Sequence, residues 1–135
     1  SHEVENDLPD MRILLLDRSV INTKELTGKV VLIFYQPECD HCQREATEIA
    51  QNITAFKKAT LYFITSDSAD KIERFANEYK LYGHANVLFG STSTESILKN
   101  FGPIETPSIY VYSADRKLIK ALNGEVAISE VFKYI

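Results

Sequence analysis

Val30-Val31-Leu32-Ile33-Phe34-Tyr35 is an unbroken run of six apolar or aromatic residues. A strand with one wet face alternates apolar and polar residues, so this run predicts a strand covered on both faces, in a sheet with helices packed on each side. Gln36-Pro37-Glu38 breaks it. From Cys39 to about Lys57 the residues Cys42, Ala46, Ile49, Ala50, Ile53 and Phe56 recur at spacings of three and four, which marks a helix with one buried face. A buried strand therefore feeds a helix. The junction holds Cys39-Asp40-His41-Cys42, which contains the only two cysteines of the chain.

The flanking segments fit the same layered plan. Residues 1–10 are polar, carry Pro9 and read as a tail or linker, and Ser1-His2 has the look of a cloning remnant; residues 11–135 read as one domain. Arg12 to Asp17 predicts a short strand, Val20-Ile21 a second, and Thr23 to Leu26 a turn. Thr60 to Thr65 is the next strand, after which Ser66-Asp67-Ser68 offers N-caps for a helix to about Tyr79 with Ile72, Phe75, Ala76 and Tyr79 inward. Val87 to Phe89 predicts a strand. A helix from about Thr94 to Phe101 would turn Ile97, Leu98 and Phe101 inward and stop at Gly102-Pro103. Ser108 to Tyr112 and Lys117 to Leu122 form a hairpin across Ser113–Arg116, and a last helix from about Ala127 to Tyr134 points Ile128, Val131 and Phe132 inward. Strands alternating with helices, then a hairpin and a terminal helix, predict an α/β three-layer domain.

A chain of 135 residues buries a core without covalent staples, so the cysteines are not needed for folding. Its net charge of −4 is interspersed and forms no basic stripe, which argues against nucleic acid as a partner. No apolar stretch approaches the roughly 18 residues of a membrane span, and no charged-then-apolar leader is present, although a removed leader would leave no trace. A monomer is expected.

The cysteine spacing points to redox chemistry. Helix residues three apart share a face with Cβ atoms roughly 5–6 Å apart, close to what a disulfide needs. At the helix N-terminus, free backbone N–H groups and the positive end of the dipole favour a thiolate, so Cys39 is the expected attacking thiol and Cys42 the resolving one. His41, if protonated, would favour that thiolate further, while Glu38 and Asp40 oppose it; the balance stays open here. A purely structural disulfide closes too small a loop to remove much unfolded-state entropy. Zinc needs about four ligands, and beyond the cysteines only His2, His41 and His84 are available, none as a second pair. The pattern therefore favours thiol–disulfide exchange with no metal and no organic cofactor.

Two further residues stand out. Glu45, three positions after Cys42, falls on the same helical face and could manage the proton that Cys42 must lose or gain; the other reading is a solvated helix glutamate. Arg44 and Glu48 are expected as an exposed ion pair. Pro107 follows a loop and precedes a strand. Cis peptide bonds are nearly confined to X–Pro, and a cis Thr106–Pro107 bond would turn the Thr106 backbone toward an incoming extended peptide, whereas a trans proline would merely start a strand.

The run Gly28-Lys29-Val30-Val31-Leu32-Ile33-Phe34-Tyr35, ending in Cys39-x-x-Cys42-x-x-Glu45, resembles the thioredoxin fold and, within it, the TlpA/ResA-type thiol–disulfide oxidoreductases of bacterial envelopes. The likeness covers about residues 11–135. It implies a three-layer α/β/α domain with a mixed central sheet, an N-terminal strand extension and an inserted β-α unit, for which Leu81 to Phe101 is the candidate. Thr106-Pro107-Ser108-Ile109-Tyr110 is similar to the second landmark of that family, whose proline is cis and lies against the disulfide, and Glu45 stands where its members carry an acid. The resemblance implies catalysis by Cys39, Cys42, Glu45 and Pro107, with Thr106, Pro107 and His41 touching substrate. It also implies disulfide-containing client proteins and a membrane thiol donor as partners, reduction rather than oxidation, and a periplasmic or cell-envelope location, with an anchor in any removed leader. The chain departs from the pattern in places. Glu38 stands where relatives often have tryptophan, and Ile33 occupies the position of the buried acid in thioredoxins, leaving Glu45, His41 or water to handle protons. A peroxiredoxin reading meets Gln36 where a threonine is expected, and a copper-chaperone reading has only His84. The alternative from another class is a non-catalytic thioredoxin-like module that binds protein through the groove beside Pro107, its cysteine pair responding to redox state.

Overall fold

The structure is a computed structural model and describes residues 6–135. Among these, the elements run β1 (Arg12–Leu15), β2 (Val20–Asn22), β3 (Lys29–Phe34), α1 (Asp40–Gln51), β4 (Ala59–Thr65), α2 (Ala69–Glu78), β5 (Val87–Ser91), α3 (Thr94–Phe101), β6 (Ser108–Tyr112), β7 (Leu118–Asn123) and α4 (Ser129–Phe132). The strands form one sheet in the order β2-β1-β5-β4-β3-β6-β7. β3, β4 and β5 are parallel neighbours; β1 with β5, β1 with β2, β3 with β6 and β6 with β7 are antiparallel.

The apolar run explains the layering. Along β3, Val31 and Ile33 point to a core shared with Cys42, Ala46 and Ile49 of α1, Ile72, Phe75 and Ala76 of α2, and Val131 of α4. The alternate residues Val30, Leu32 and Phe34 point to a second core with Leu8, Met11 and Tyr110, against which Ile97 and Phe101 of α3 pack. Every residue from Val30 to Tyr35 is buried, each such side chain stabilising the fold by roughly 1.5–3 kcal/mol.

Several details differ from expectation. The helix expected to run to Lys57 ends at Gln51; Asn52 turns the chain, its N–H reaching Glu48 O and Ile49 O, and a single 3-10 turn at Ile53–Phe56 then delivers Phe56 to the core. α4 is only the one turn Ser129–Phe132. Leu98, expected inward, is 54% exposed: the inward row of α3 is the partly buried i, i+4 pair Ile97 and Phe101, and Leu98 lies about 100° further round the helix. Residues 6–10, read as tail, are tied to the domain. Leu8 is buried, the Asp7 N–H donates to Arg116 O at 2.8 Å, and Leu118 N–H donates to the Asp7 carboxylate at 2.8 Å. Residues 1–5, including Ser1-His2, lie outside the described residues.

The unit between Leu81 and Phe101 contributes β5 and α3, so β1 pairs with β5. Gly90 makes that pairing possible, because a Cβ there would lie 2.5 Å from Ile13 Cγ2 and 2.8 Å from Leu14 O. On the other side of β3, the antiparallel register Phe34↔Ser108 sets the start of β6 beside the end of β3. That register carries Thr106 and Pro107 to the cysteines.

Candidate active site

Pro37 offers no N–H, so the ladder cannot continue past the end of β3, and the chain turns through a Cys39 N–H to Gln36 O bond of 3.1 Å. Cys39 then serves as the N-cap of α1, with extended backbone (φ −90°, ψ 119°) and its sulfur accepting from the Cys42 N–H at 3.3 Å. This is the position serine or aspartate usually takes, and the sulfur inherits the same orphan N–H groups. The Cys39 thiol donates to Thr106 O at 3.7 Å. Both cysteines are free; Cys39 is half-buried and Cys42 is 2% exposed. Burial, and then the hydrogen bond shared with Cys39, push the Cys42 thiol up to about 12. The two sulfurs therefore differ in kind, one reachable and one held protonated.

Glu45 is not a solvated glutamate. It is 2% exposed, its Oε2 accepts from the Val126 N–H at 3.2 Å, and its Oε1 has no partner among the described residues. Burial raises its carboxyl from 4.5 to about 7, the Val126 bond offsetting part of the effect and the Glu125 and Glu48 charges adding to it.

The outer side of the same helix carries a network that local sequence did not reveal. Arg44 donates from Nε to Glu125 Oε2 at 3.0 Å and from its terminal nitrogen to Glu125 Oε1 at 2.8 Å. His41 Nδ1 lies 2.7 Å from both Glu125 Oε1 and that Arg44 nitrogen, so one ring atom can serve only one of them at a time. Arg44 does not pair with Glu48, whose carboxylate instead accepts from the Ile128 N–H at 3.1 Å. Arg44 and His41 together hold the Glu125 carboxyl down at about 2. Glu125 is 84 residues from His41 and follows a bland Asn-Gly turn, so only its final position marks it.

The Thr106–Pro107 peptide is cis, and Pro107 is buried. The loop is braced from both sides: Gly124 N–H donates to Pro107 O at 2.9 Å, and the Ser108 hydroxyl bonds to Glu105 O. The first of these bonds also delivers Glu125 to α1. Thr106 borders a groove of about 190 Å³ between the end of β3 and α3, where the exposed Leu98 lies. Lys71 pairs with Glu38 at 2.8 Å beside a separate hollow bordered by Pro37, Gln43 and Phe75. Among the described residues no three His, Cys, Asp or Glu side chains gather as a metal-binding set, and His84 instead meets Lys80 O at 3.3 Å.

Paired thiols at a helix N-terminus on this mixed sheet define a thioredoxin-like protein. The chain belongs to the AhpC/TSA family, whose model matches residues 4–121. It is similar to the protein named thiol-disulfide oxidoreductase ResA from Bacillus thuringiensis subsp. konkukian, 23% identical over 137 residues, covering 98% of this chain and 77% of that protein. Among solved structures, MTB dsbF in its mixed oxidized and reduced forms superposes with a TM-score of 0.80 at 21% identity, covering 97% of this chain and 96% of that one. A secreted Mycobacterium tuberculosis disulfide oxidoreductase homologous to E. coli DsbE follows with a TM-score of 0.77 at 19% identity and 93% coverage of both chains.

Proposed function

We propose that this protein is a thiol–disulfide oxidoreductase that reduces disulfides in client proteins. Cys39 attacks one sulfur of a client disulfide; the second client sulfur leaves with the electron pair and takes up a proton, and a Cys39–client mixed disulfide remains. Cys42 then loses its proton, attacks Cys39 and releases the client thiol, so two electrons pass to the client and a Cys39–Cys42 disulfide is left. Glu45 is the acceptor for the Cys42 proton, a role supported by a carboxyl poised near 7 one helical turn from it. The Thr106 backbone and Pro107 receive the client as an added strand beside the sulfurs. The observation that carries the reading is the geometry of Cys39, capped by the Cys42 N–H at 3.3 Å and lying 3.7 Å from Thr106 O next to the cis-proline.

Reduction is the favoured direction. His41 touches the client side of the site, but its ring is engaged by Arg44 and Glu125, and Asp40 adds negative charge beside the attacking sulfur, while Glu38 is paired with Lys71. Neither metal nor organic cofactor enters this cycle, and a membrane thiol donor regenerates the dithiol. The proposed location is the periplasm or cell envelope, in keeping with a relative described as secreted; no helix among the described residues is long and apolar enough to cross a membrane. The proposed state is a monomer that binds no nucleic acid.

Cys42→Ser tests the cycle. The variant should accumulate mixed disulfides between Cys39 and client proteins, seen as thiol-sensitive bands on non-reducing gels. Absence of such adducts, with protein binding retained, would reveal a binding module rather than an enzyme. The reduction potential of the couple tests the direction: a value at the oxidising end of the thioredoxin-like range would reverse it.

A further inference from the structure

A single carbonyl oxygen has two calls on it in this site. Thr106 O accepts from the Cys39 thiol at 3.7 Å, and Thr106 is also the backbone proposed to receive a client strand. The neighbouring groups are already engaged: Pro107 has no N–H, its carbonyl accepts from the Gly124 N–H at 2.9 Å, and Glu105 O accepts from the Ser108 hydroxyl. The Thr106 N–H has no partner among the described residues, and the residue is only partly buried. An incoming strand therefore meets one free donor, and one acceptor held by the attacking sulfur.

The two hydrogen bonds of that sulfur have opposite consequences. The Cys42 N–H donates to it at 3.3 Å and favours the thiolate, whereas Thr106 O takes the thiol proton and favours the neutral form. A thiol is a weak donor and a peptide N–H a strong one, so they compete unequally for one oxygen. Its two lone pairs do not remove the competition, because the first donor draws away the electron density that a weak second donor would use.

We infer that a client main-chain N–H takes Thr106 O from the Cys39 thiol, so that docking of an extended peptide itself releases the attacking sulfur to ionise. The inference rests on the exchange and the docking mode proposed above. The favoured substrates are accordingly disulfides in extended polypeptide with an amide N–H beside the cysteine; a small disulfide without one meets a sulfur still tied to Thr106. The released thiol gives its proton to water and the thiolate attacks the client sulfur. The client S–S bond breaks as the Cys39–client bond forms, and the departing sulfur keeps the electron pair. The Cys42 N–H stays on Cys39 as the donor that holds the anion.

The probe is the peptide Ala-Ala-Cys-Ala-Ala with blocked ends, its cysteine joined as a disulfide to thionitrobenzoate and mixed in excess with the reduced protein. An ester replaces one backbone amide at a time, which removes a donor without adding bulk. Thionitrobenzoate is the more acidic thiol and leaves, so its colour times the attack by Cys39. At about pH 6 one ester position should lower the rate at saturating peptide about tenfold against the all-amide probe. That difference should vanish at about pH 10, well above the ordinary thiol value, where no proton has to be released. The charged groups near the sulfur, Glu38 with Lys71, Asp40, His41, and Arg44 with Glu125, are common to both probes and cancel in the ratio. Esters that change only the half-saturating concentration overturn the inference, because the amide then docks the client without affecting the sulfur. A ratio that persists at both pH values overturns it as well, as does a rate that stays linear in peptide up to millimolar concentration. If Cys39→Ser releases the colour as fast as wild type, the exchange reading falls and this inference falls with it.

Discussion

Glu45 and Glu125 present the same carboxyl group to opposite sides of α1, and their acidities move in opposite directions. Glu45 faces the core and rises to about 7; Glu125 faces solvent, meets Arg44 and His41, and falls to about 2. On the inner side desolvation dominates, because one oxygen has a single backbone donor and the other has none. On the outer side two cationic or polar partners act where water already hydrates the anion. The lesson concerns energy as well as acidity. A 2% exposed carboxyl converts its shift into folding free energy, whereas Glu125, with a side chain 31% exposed beside an Arg44 side chain 56% exposed, forms a network that solvent and salt screen.

The contrast can be broken most severely from the inside. Ile49→Ala empties a fully buried position on the inner face of α1 and should cost about 2–5 kcal/mol in chemical denaturation. A cost well under 1 kcal/mol would mean that this face is not packed as described. Glu45→Gln sharpens the electrostatic half of the contrast. A carboxyl raised from 4.5 to about 7 supports folding fully below its unfolded value, and that support is lost as pH rises through about 7. Wild type should therefore lose roughly 3 kcal/mol of stability between pH 4.5 and pH 8, and Glu45→Gln should flatten that slope while keeping an acceptor for Val126. Denaturation midpoints across this range decide it, and a variant with the wild-type slope would count against the burial of Glu45. Arg44→Ala should have the smallest effect. Melting temperature should stay close to wild type, with any difference disappearing in high salt, and the Glu125 carboxyl should return toward its ordinary range in an NMR titration. A large, salt-insensitive loss would show that the outer network is structural after all.

What was legible in the chain was the part encoded within one or two turns or one strand. Val30–Tyr35 announced a strand buried on both faces, and the alternation of its side chains into two cores is what the structure has. Cys39 and Cys42 had to share a helical turn. Pro107 stood out because cis peptide bonds are nearly confined to X–Pro, and because its setting is similar to the second landmark of the family. Three points were harder. Arg44 was matched with Glu48 by helical spacing, yet a better partner arrives from the loop after β7. Leu98 was assigned inward because a period of 3.6 does not say how wide the buried stripe is. Residues 6–10 read as tail because their side chains are polar, while their backbone and the Asp7 carboxylate find partners near Arg116 and Leu118.

The amino-acid order alone determined the sheet's central strand, the strand-to-helix junction and the pairing of the two thiols, since these depend on apolar periodicity and on residues a few positions apart. Tertiary structure decided which side chains met around them: the register of β6 on β3 brought Thr106 to Cys39, the path out of β7 brought Glu125 to Arg44, and closure of the core left Glu45 Oε1 and the Tyr35 hydroxyl without partners. Distance and water exclusion control those outcomes, and both are properties of the packed chain as a whole.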